Sequence, residues 1–167
     1  MNNIPNGVPV RCRVNAINGV GGGLASDYSN EVTPQAPTTM QLQTSATIAH
    51  AGTPITFTAT LDEVAASGSI SFSADAQPIS GCTAATISNS IATCVTTFAS
   101  AGTRSIMAQY AGDAAHVGSA GILAGGQQVI SAPAVPLIID VAPLDQAARI
   151  TFNGVTSDGG SALLDYS

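Results

Sequence analysis

Two features of the 167-residue sequence predict an all-β fold built as an antiparallel sandwich. Gly, Ser, Thr and Val are abundant and lower helix propensity, and no apolar stripe with a 3.6-residue period persists beyond a turn or two. Apolar residues instead alternate with Ser and Thr in short segments separated by turn residues. This alternation is typical of a sheet that packs on one face and meets water on the other.

The clearest strands lie in the middle of the chain. Residues 55–61 set Ile, Phe, Ala and Leu against three Thr, and residues 70–74 set Ile, Phe and Ala against Ser. Residues 106–110 repeat the pattern with Ile, Ala and Tyr, and further strands are predicted at residues 40–43 and 127–131. The segment from residue 37 to residue 131 is long enough to bury a core of its own, so we predict one complete sandwich here.

Proline-bounded linkers divide the chain into three predicted parts, residues 1–34, 35–132 and 133–167. In the first part, residues 8–16 alternate as a half-buried strand and residues 29–33 form a short second strand. Cys12 falls on the inward face of the first strand, where we expect a small buried side chain. The last part has strands at residues 137–141 and 147–152 and then turns.

Of the three cysteines, Cys82 and Cys94 are close in sequence and Cys12 is left as an unpaired thiol. The close pair has three interpretations: a structural disulfide, two free thiols, or two metal ligands. The sequence favours the disulfide, because His50 and His116 show no ligand spacing with either cysteine. A disulfide in turn predicts an oxidising compartment.

The spacing of the pair also predicts its local geometry. With a two-residue turn, Cys82 would lie three residues beyond the position opposite Cys94, about 10 Å away. That separation exceeds the usual Cα distance across a disulfide. We therefore expect a local staple across a hairpin whose loop is centred on Ser88 and has an odd number of residues.

Residues 81–113 resemble the bacterial Ig-like repeat domains that occur in tandem on large extracellular proteins. The resemblance rests on the cysteine pair, the Ala101-Gly102-Thr103 turn, the alternating Ile106, Ala108 and Tyr110, and the closing Gly112-Asp113. It implies an Ig-like sandwich and an extracellular location, either secreted or on the cell surface.

Both flanks are similar to parts of a fibronectin type III domain. Residues 13–18, the glycines at 21–23 and residues 29–34 are similar to its last two strands, although Val10 stands where the family usually has a tyrosine. Residues 157–161 with Leu163 and Tyr166 are similar to its opening strands, and Phe152 stands where the family often has an aromatic residue.

The resemblance implies a non-catalytic structural or adhesive spacer of a bacterial extracellular multidomain protein. Its expected partners are neighbouring domains of the same parent chain, with a cell-surface or polysaccharide ligand left open. The alternative is an accessory segment, linker or weak carbohydrate-binding, of a secreted polysaccharide hydrolase whose catalytic domain lies elsewhere. Residues 1–5 lack the features of a signal peptide, so we expect Met1 to be an internal position of a longer protein.

Composition and motifs argue against several other functions. The net charge is −6 and the four arginines form no basic patch that could bind nucleic acid. The apolar runs are too short for membrane insertion. No motif for a catalytic nucleophile, a phosphate or a metal occurs, so we expect no enzymatic activity and no cofactor. Asp113 is expected to cap a turn, with a calcium site involving Asp75 or Asp62 as the alternative. We expect His50 and His116 to be exposed loop residues.

Overall fold

A computed structural model describes residues 4–166. Met1 to Asn3 and Ser167 lie outside the described residues, so part of the segment that lacks signal-peptide features is not described. The described residues form strands and turns, and none of them forms a helix of the length and apolarity that a membrane crossing requires. The strands are β1 (Asn15–Ile17), β2 (Gly22–Ala25), β3 (Met40–Thr44), β4 (Ile48–His50), β5 (Ile55–Leu61), β6 (Ser69–Ala74), β7 (Gln77–Pro78), β8 (Ala85–Thr86), β9 (Ile91–Thr96), β10 (Gly102–Arg104), β11 (Ile106–Gly112), β12 (Val117–Ile122), β13 (Gln127–Ile130), β14 (Leu137–Leu144) and β15 (Ala147–Asn153).

Strands β3 to β13 form the predicted sandwich, called the sandwich below. Its first sheet has the order β3–β5–β9. The second has the order β12–β11–β6–β7, with β8 also beside β6, and it is extended by the group β10–β13–β4. The extension is direct because β10 leads into β11 across a single residue, Ser105. Among the named strands of the sandwich, β4 and β13 are the one parallel pair, and the other pairs are antiparallel.

The alternating residues of the central strands form the core, as predicted. In β5 the apolar positions are buried, and Phe57 and Ala59 are completely so, while the intervening Thr side chains are at least partly exposed. Phe72 on β6 and Tyr110 on β11 face them from the second sheet. Each such large side chain contributes about 1.5–3 kcal/mol when it leaves water, so these positions fix which face of each sheet points inward.

Buried Gln127 holds the point where the first strand of the sandwich changes sheets. Between β3 and β4 the chain leaves β5 and joins β13. The Gln127 side-chain oxygen accepts a hydrogen bond from Thr44 Oγ1 at 2.6 Å, and its nitrogen donates to the Thr47 and Gln128 carbonyls. A buried amide is tolerated here because its polar groups are all paired.

The chain enters and leaves the sandwich at opposite ends. At the proximal end, Ala36 pairs in parallel with His116, just before β12 begins. At the distal end, β13 finishes beside the start of β10, where Val129 pairs with Gly102. The last strand, β12 and β13 together, therefore crosses the whole sandwich, and the two linkers emerge at its two ends.

The N-terminal hairpin consists of β1, β2 and the isolated Val10–Val32 pair. The continuous strand predicted at residues 8–16 is wrong in detail, because between Val10 and β1 the ladder is broken. There the hydroxyls of Ser26 and Ser29 accept hydrogen bonds from the backbone amides of Val14 and Cys12.

Two further expectations for this hairpin are wrong. Cys12 is exposed rather than buried, because among the residues that the structure describes no second sheet covers the face on which it lies. The second strand predicted at residues 29–33 is reduced to the isolated pair of Val32 with Val10, and β1 pairs instead with β2, which includes Gly22 and Gly23. Both differences concern what surrounds the segment rather than its alternating pattern.

The C-terminal hairpin consists of β14 and β15, paired from Leu137–Asn153 to Leu144–Ala147 with one bulge. It lies where strands were predicted, and nearly all of its residues are exposed. The segment after β15 is bonded to the end of the sandwich and to the linker that follows it. The Ser131 amide donates to the Gly159 carbonyl at 2.8 Å, and the Ala134 amide donates to the Ser157 carbonyl at 3.0 Å.

Candidate functional site

A disulfide joins Cys82 and Cys94, with an S–S distance of 2.06 Å and a Cα–Cα distance of 5.5 Å. Both residues are buried, with exposed fractions of 4% and 1%. The disulfide interpretation of the pair is therefore the one the structure contains, and the free-thiol and metal-ligand interpretations are set aside for these two residues.

The predicted local geometry of the disulfide is wrong. The turn between β8 and β9 has two residues, Asn89 and Ser90, both with positive φ, and the hairpin it closes consists of the single Ser88–Ile91 pair. Beyond that pair the two segments separate, because β8 joins β6 in one sheet while β9 joins β5 in the other.

The disulfide consequently connects the two sheets of the sandwich. Cys82 belongs to the second sheet, since its carbonyl accepts a hydrogen bond from the Phe72 amide at 2.9 Å. Cys94 lies in β9, directly opposite Phe57 of β5. A staple that is local in sequence therefore bridges the core, and the two-residue turn does not prevent it because the cysteines are not cross-strand partners.

The side chain of Asp113 organises the proximal end. Its Oδ1 accepts hydrogen bonds from the amides of Ala115 and His116 and from the His116 ring, each at 2.8 Å. Its Oδ2 accepts bonds from the amide and the hydroxyl of Ser67, both at 2.9 Å. The expected turn cap is present, and the same carboxylate also ties in a second loop.

His116 is buried, with 7% of its surface exposed, so the expectation of an exposed loop histidine is wrong. The hydrogen bond to Asp113 explains why a polar ring is stable there. His50 is exposed as expected, although it ends strand β4 rather than lying in a loop. Ser, His and Asp side chains thus meet at Asp113, but both Ser67 and His116 bond to the carboxylate rather than to each other. This arrangement does not activate a nucleophile, because the base would have to touch the hydroxyl.

The hydrogen bonds determine the ionisation of Asp113. Burial on its own would raise the pKa, but the bonds from Ser67, Ala115 and His116 outweigh it and hold the pKa of Asp113 well below its usual range. Burial, followed by the proximity of Asp113, raises the pKa of Tyr110, whose buried hydroxyl has no hydrogen-bond partner among the described residues.

Comparison with known families identifies the sandwich. Residues 40–122 match the family model of the bacterial Ig-like domain (group 3). The chain carries a bacterial Ig-like domain. Proteins of this family are generally non-catalytic and commonly extracellular, and the disulfide of this chain fits an oxidising environment. No curated protein matches the chain.

Two further carboxylates of the Ig-like domain secure loops in the way Asp113 does. Asp62 accepts bonds from the amide and hydroxyl of Thr39, both at 2.7 Å, and these bonds lower the pKa of Asp62. Asp75 accepts from the Ser105 amide at 2.9 Å and pairs with Arg104 at 3.4 Å. Each carboxylate is therefore engaged by donors of the protein itself. Within residues 4–166, no three His, Cys, Asp or Glu side chains form a group that could hold a metal ion.

A shallow groove of about 390 Å³ lies on the outer face of β6 and β11 of the Ig-like domain. No acidic, basic or histidine side chain lines it; the lining residues are Ser71, Phe72, Ser73, Ala76, Pro78, Thr83, Met107 and Gln109. Phe72 is itself buried, so the groove offers no exposed aromatic ring. It therefore lacks both the acid–base groups that catalysis needs and the flat platform that sugars need.

Two of the residues that shape this domain carry no recognisable signal in the sequence. Gln127 looks like an ordinary polar residue of an edge strand, and its role depends on two strands that are remote in sequence. Gln35 donates a hydrogen bond to the Asp113 carbonyl at 2.7 Å across a separation of 78 residues. Only the fold brings such pairs together.

Proposed function

We propose that this chain is a non-catalytic structural spacer of a bacterial extracellular multidomain protein, and that its Ig-like domain transmits tension along the array. The observation that supports the proposal most strongly is the arrangement of the first and last strands. They run side by side in the same direction, while the linkers leave at opposite ends of the sandwich.

This arrangement determines how a pulling force acts on the domain. Tension at the N-terminal linker draws β3 and β4 toward the proximal end, and tension at the C-terminal linker draws β13 toward the distal end. The β4–β13 pairs, from Ile48–Gln128 to His50–Ile130, are then sheared together instead of opening one by one. Further hydrogen bonds share the load at the proximal end, since the Ala36 amide donates to Ala115 at 2.7 Å and the Val117 amide donates to Ala36 at 2.8 Å.

The ends of the domain are also suited to a spacer. Gln35 and Asp113 fix the proximal linker, and the Ser131–Gly159 hydrogen bond fixes the distal linker. Fixed linkers transmit force and orientation from one module to the next. We further propose that the two hairpins belong to fibronectin type III-like modules, on the sequence similarities given above, and that neighbouring domains of the parent chain are the partners at the two ends.

Sugar binding, as in an accessory segment of a hydrolase, has less support. A carbohydrate platform requires exposed and coplanar aromatic rings. Tyr110 is buried, the Tyr28 ring is covered by Arg13 at 4.9 Å, and Tyr166 is tilted against Phe152 with ring centroids 5.0 Å apart. We therefore prefer the spacer to the carbohydrate-binding alternative.

Single-molecule force spectroscopy on the whole chain tests the proposal. The Cys12→Ala protein is pulled first from its two termini, and then from its C-terminus and the thiol that Thr53→Cys adds. Thr53 follows β4, so the second geometry pulls β4 and β13 from the same end and opens their pairs in sequence. We expect a clearly higher unfolding force from the termini, and equal forces in the two geometries would refute the proposed role.

The same experiment reads out the disulfide. The 12 residue steps between the two cysteines extend to about 43 Å at about 3.6 Å per residue. The folded bridge spans 5.5 Å between Cα atoms. Reduction should therefore lengthen the extension released on unfolding by about 38 Å. The oxidised protein should lack this increment.

A further inference from the structure

A loop of the C-terminal flank contacts the distal end of the Ig-like domain. This loop, residues 157–161 and called the distal loop below, follows β15, and its Gly159 is buried although most of that flank is exposed. The Ser131 amide donates to the Gly159 carbonyl at 2.8 Å, and the Gln128 side chain donates to the Gly160 carbonyl at 3.5 Å. The end of the sandwich therefore binds the backbone of the loop rather than its side chains.

This contact leaves no room for a side chain at Gly159. Its φ is +74°, and a Cβ built there would collide with the Ser131 carbonyl oxygen and lie 2.9 Å from the Ala132 carbonyl oxygen. Both are backbone atoms, which cannot rotate away. Gly160 has nearly the same φ, +80°, but a Cβ there would be 3.4 Å from its nearest atom, the Val129 carbonyl oxygen. Of the two glycines, only Gly159 is therefore required by the contact with the sandwich.

The distal loop is held in shape by its own side chains. The Asp158 carboxylate accepts a hydrogen bond from the Gly160 amide at 2.9 Å, and the Ser157 hydroxyl accepts one from the Gly159 amide at 3.3 Å. A preorganised loop loses little conformational freedom when it docks. The loop is thus suited to bind the end of a neighbouring domain.

The N-terminal flank contacts the proximal end in a similar way. Gly7 has a φ of +77°, and its amide donates to the Pro34 carbonyl at 2.8 Å. A Cβ at Gly7 would lie 2.9 Å from the Cβ of Ala115. Ala115 is itself fixed, because its amide donates to Asp113 and its carbonyl accepts from Ala36. Each flank therefore meets the sandwich through a glycine with positive φ.

The two linkers have little freedom of their own. Residues 34–37 and residues 133–136 each begin and end with proline, which restricts its own φ and the conformation of the residue before it. Inside these segments, the Ala36 amide donates to Ala115 and the Ala134 amide donates to Ser157 of the distal loop. The linkers consequently do not act as free hinges while these contacts are formed.

We propose that the two ends of the Ig-like domain are docking surfaces that accept a glycine turn of the adjoining module, so that consecutive modules keep a fixed orientation. Gly7 and Gly159 determine whether a module fits, because a side chain at either place would displace the module from the end of the sandwich. The proposal rests on the proposed function in taking the adjoining modules of the parent chain as partners. It goes further by naming the residues that select those partners.

Pulsed electron paramagnetic resonance on the whole chain tests the distal contact, because it measures the distance between two spin labels. In a Cys12→Ala background, the labels are attached through Gln109→Cys on β11 and Thr156→Cys just before the distal loop, both at exposed positions. We expect one narrow distance distribution. Gly159→Ala should broaden the distribution and shift its centre, and Gly160→Ala, the matched control with a similar φ, should leave it unchanged. A broad distribution without either substitution, or equal effects of the two, would overturn the proposal.

A rescue experiment tests the proximal contact. Here the labels are attached to the native Cys12, which is exposed, and through Gln109→Cys. Gly7→Ala should broaden the distance distribution, because the added Cβ meets that of Ala115. Ala115→Gly removes the opposing atom, so the double variant should recover the narrow distribution. A double variant as broad as Gly7→Ala alone would refute the contact.

The outcome is separable from that of the pulling experiment. Labelling without reductant keeps the Cys82–Cys94 disulfide closed, and trypsin resistance at Arg104 verifies that the sandwich of each variant is folded. Equal unfolding forces in the two pulling geometries would refute the tension-bearing role and leave narrow distances in place. Broad distances together with a high unfolding force from the termini would refute the docking surfaces alone.

Discussion

Removal of the disulfide should weaken the Ig-like domain substantially. The perturbation is Cys82→Ala with Cys94→Ala, which opens a loop with a sequence separation of 12. In the chain-entropy model a loop of this length contributes roughly 3 kcal/mol at 25 °C. The loss of two buried sulfur atoms adds a small packing term of about 0.5–1 kcal/mol.

We therefore expect the free energy of unfolding to fall by roughly 3–4 kcal/mol. For a domain of this size, each 1 kcal/mol shifts Tm by about 4–8 °C, so the expected decrease is roughly 12–30 °C. Since a domain's total stability is about 5–15 kcal/mol, the double variant should still fold at room temperature, with roughly 1–12 kcal/mol remaining.

Denaturant titration followed by circular dichroism and by trypsin cleavage measures the loss. The chain has four arginines and no lysine, so cleavage after Arg104 reports on the sandwich alone. Cys12→Ala is the matched control, because Cys12 is exposed and outside the sandwich, and it should leave the transition unchanged. A loss below about 1 kcal/mol in the double variant would refute the role given to the bridge, since the entropy term alone exceeds that value.

Three other predictions address the proximal end and the fold. Asp113→Asn should lower the unfolding free energy by about 2 kcal/mol, because charge-assisted hydrogen bonds are lost. Asp140→Asn, at an exposed position, should leave it unchanged, and equal effects of the two variants in denaturant titration would contradict the prediction. Because the pKa of Asp113 is lowered in the fold, its contribution should be complete above about pH 4 and decline as the pH falls toward the folded-state pKa, so an acid titration of stability should bring wild type and Asp113→Asn together. Gly112→Ala should lower the unfolding free energy by roughly 3 kcal/mol, because its Cβ would meet the His116 carbonyl oxygen at 2.7 Å at a φ of +91°. Gly52→Ala, at a φ of +80° with open space around the Cβ, should lower it by only about 1 kcal/mol. Similar shifts in Tm for the two variants would show that the contact at Gly112 is relieved.

The sequence predicts the sandwich well because its signal is local. Alternation in residues 55–61 identifies both the strand and its buried face, and the structure buries the expected side chains, including Phe57. The Cys82–Cys94 pairing is also predicted, since it depends on two close residues and on the lack of a histidine at ligand spacing. These features require no knowledge of which strands become neighbours.

The errors arise where distant segments decide the outcome. An odd-length loop follows only if the two cysteines are cross-strand partners, but β8 and β9 separate into different sheets after the Ser88–Ile91 pair. His116 has the sequence surroundings of a loop residue, and its burial depends on Asp113 and on the chain that returns as Ala36. Neither partnership has a signature in the surrounding sequence.

Alternation is usually taken to imply both that a strand has an apolar face and that this face is buried, and the hairpins show only the first property. In β5 and in β15 the pattern identifies an apolar face equally well, but Phe57 is fully buried while Ile150 is 56% exposed. Alternation therefore predicts which face favours burial and not what buries it. For β5 the covering layer is provided by β6 and β11 of the same domain, whereas the β14–β15 hairpin is a separate two-stranded sheet in which Phe152 contacts Tyr166. A hairpin without a second layer is only marginally stable, so the alternating pattern alone does not make a segment stable.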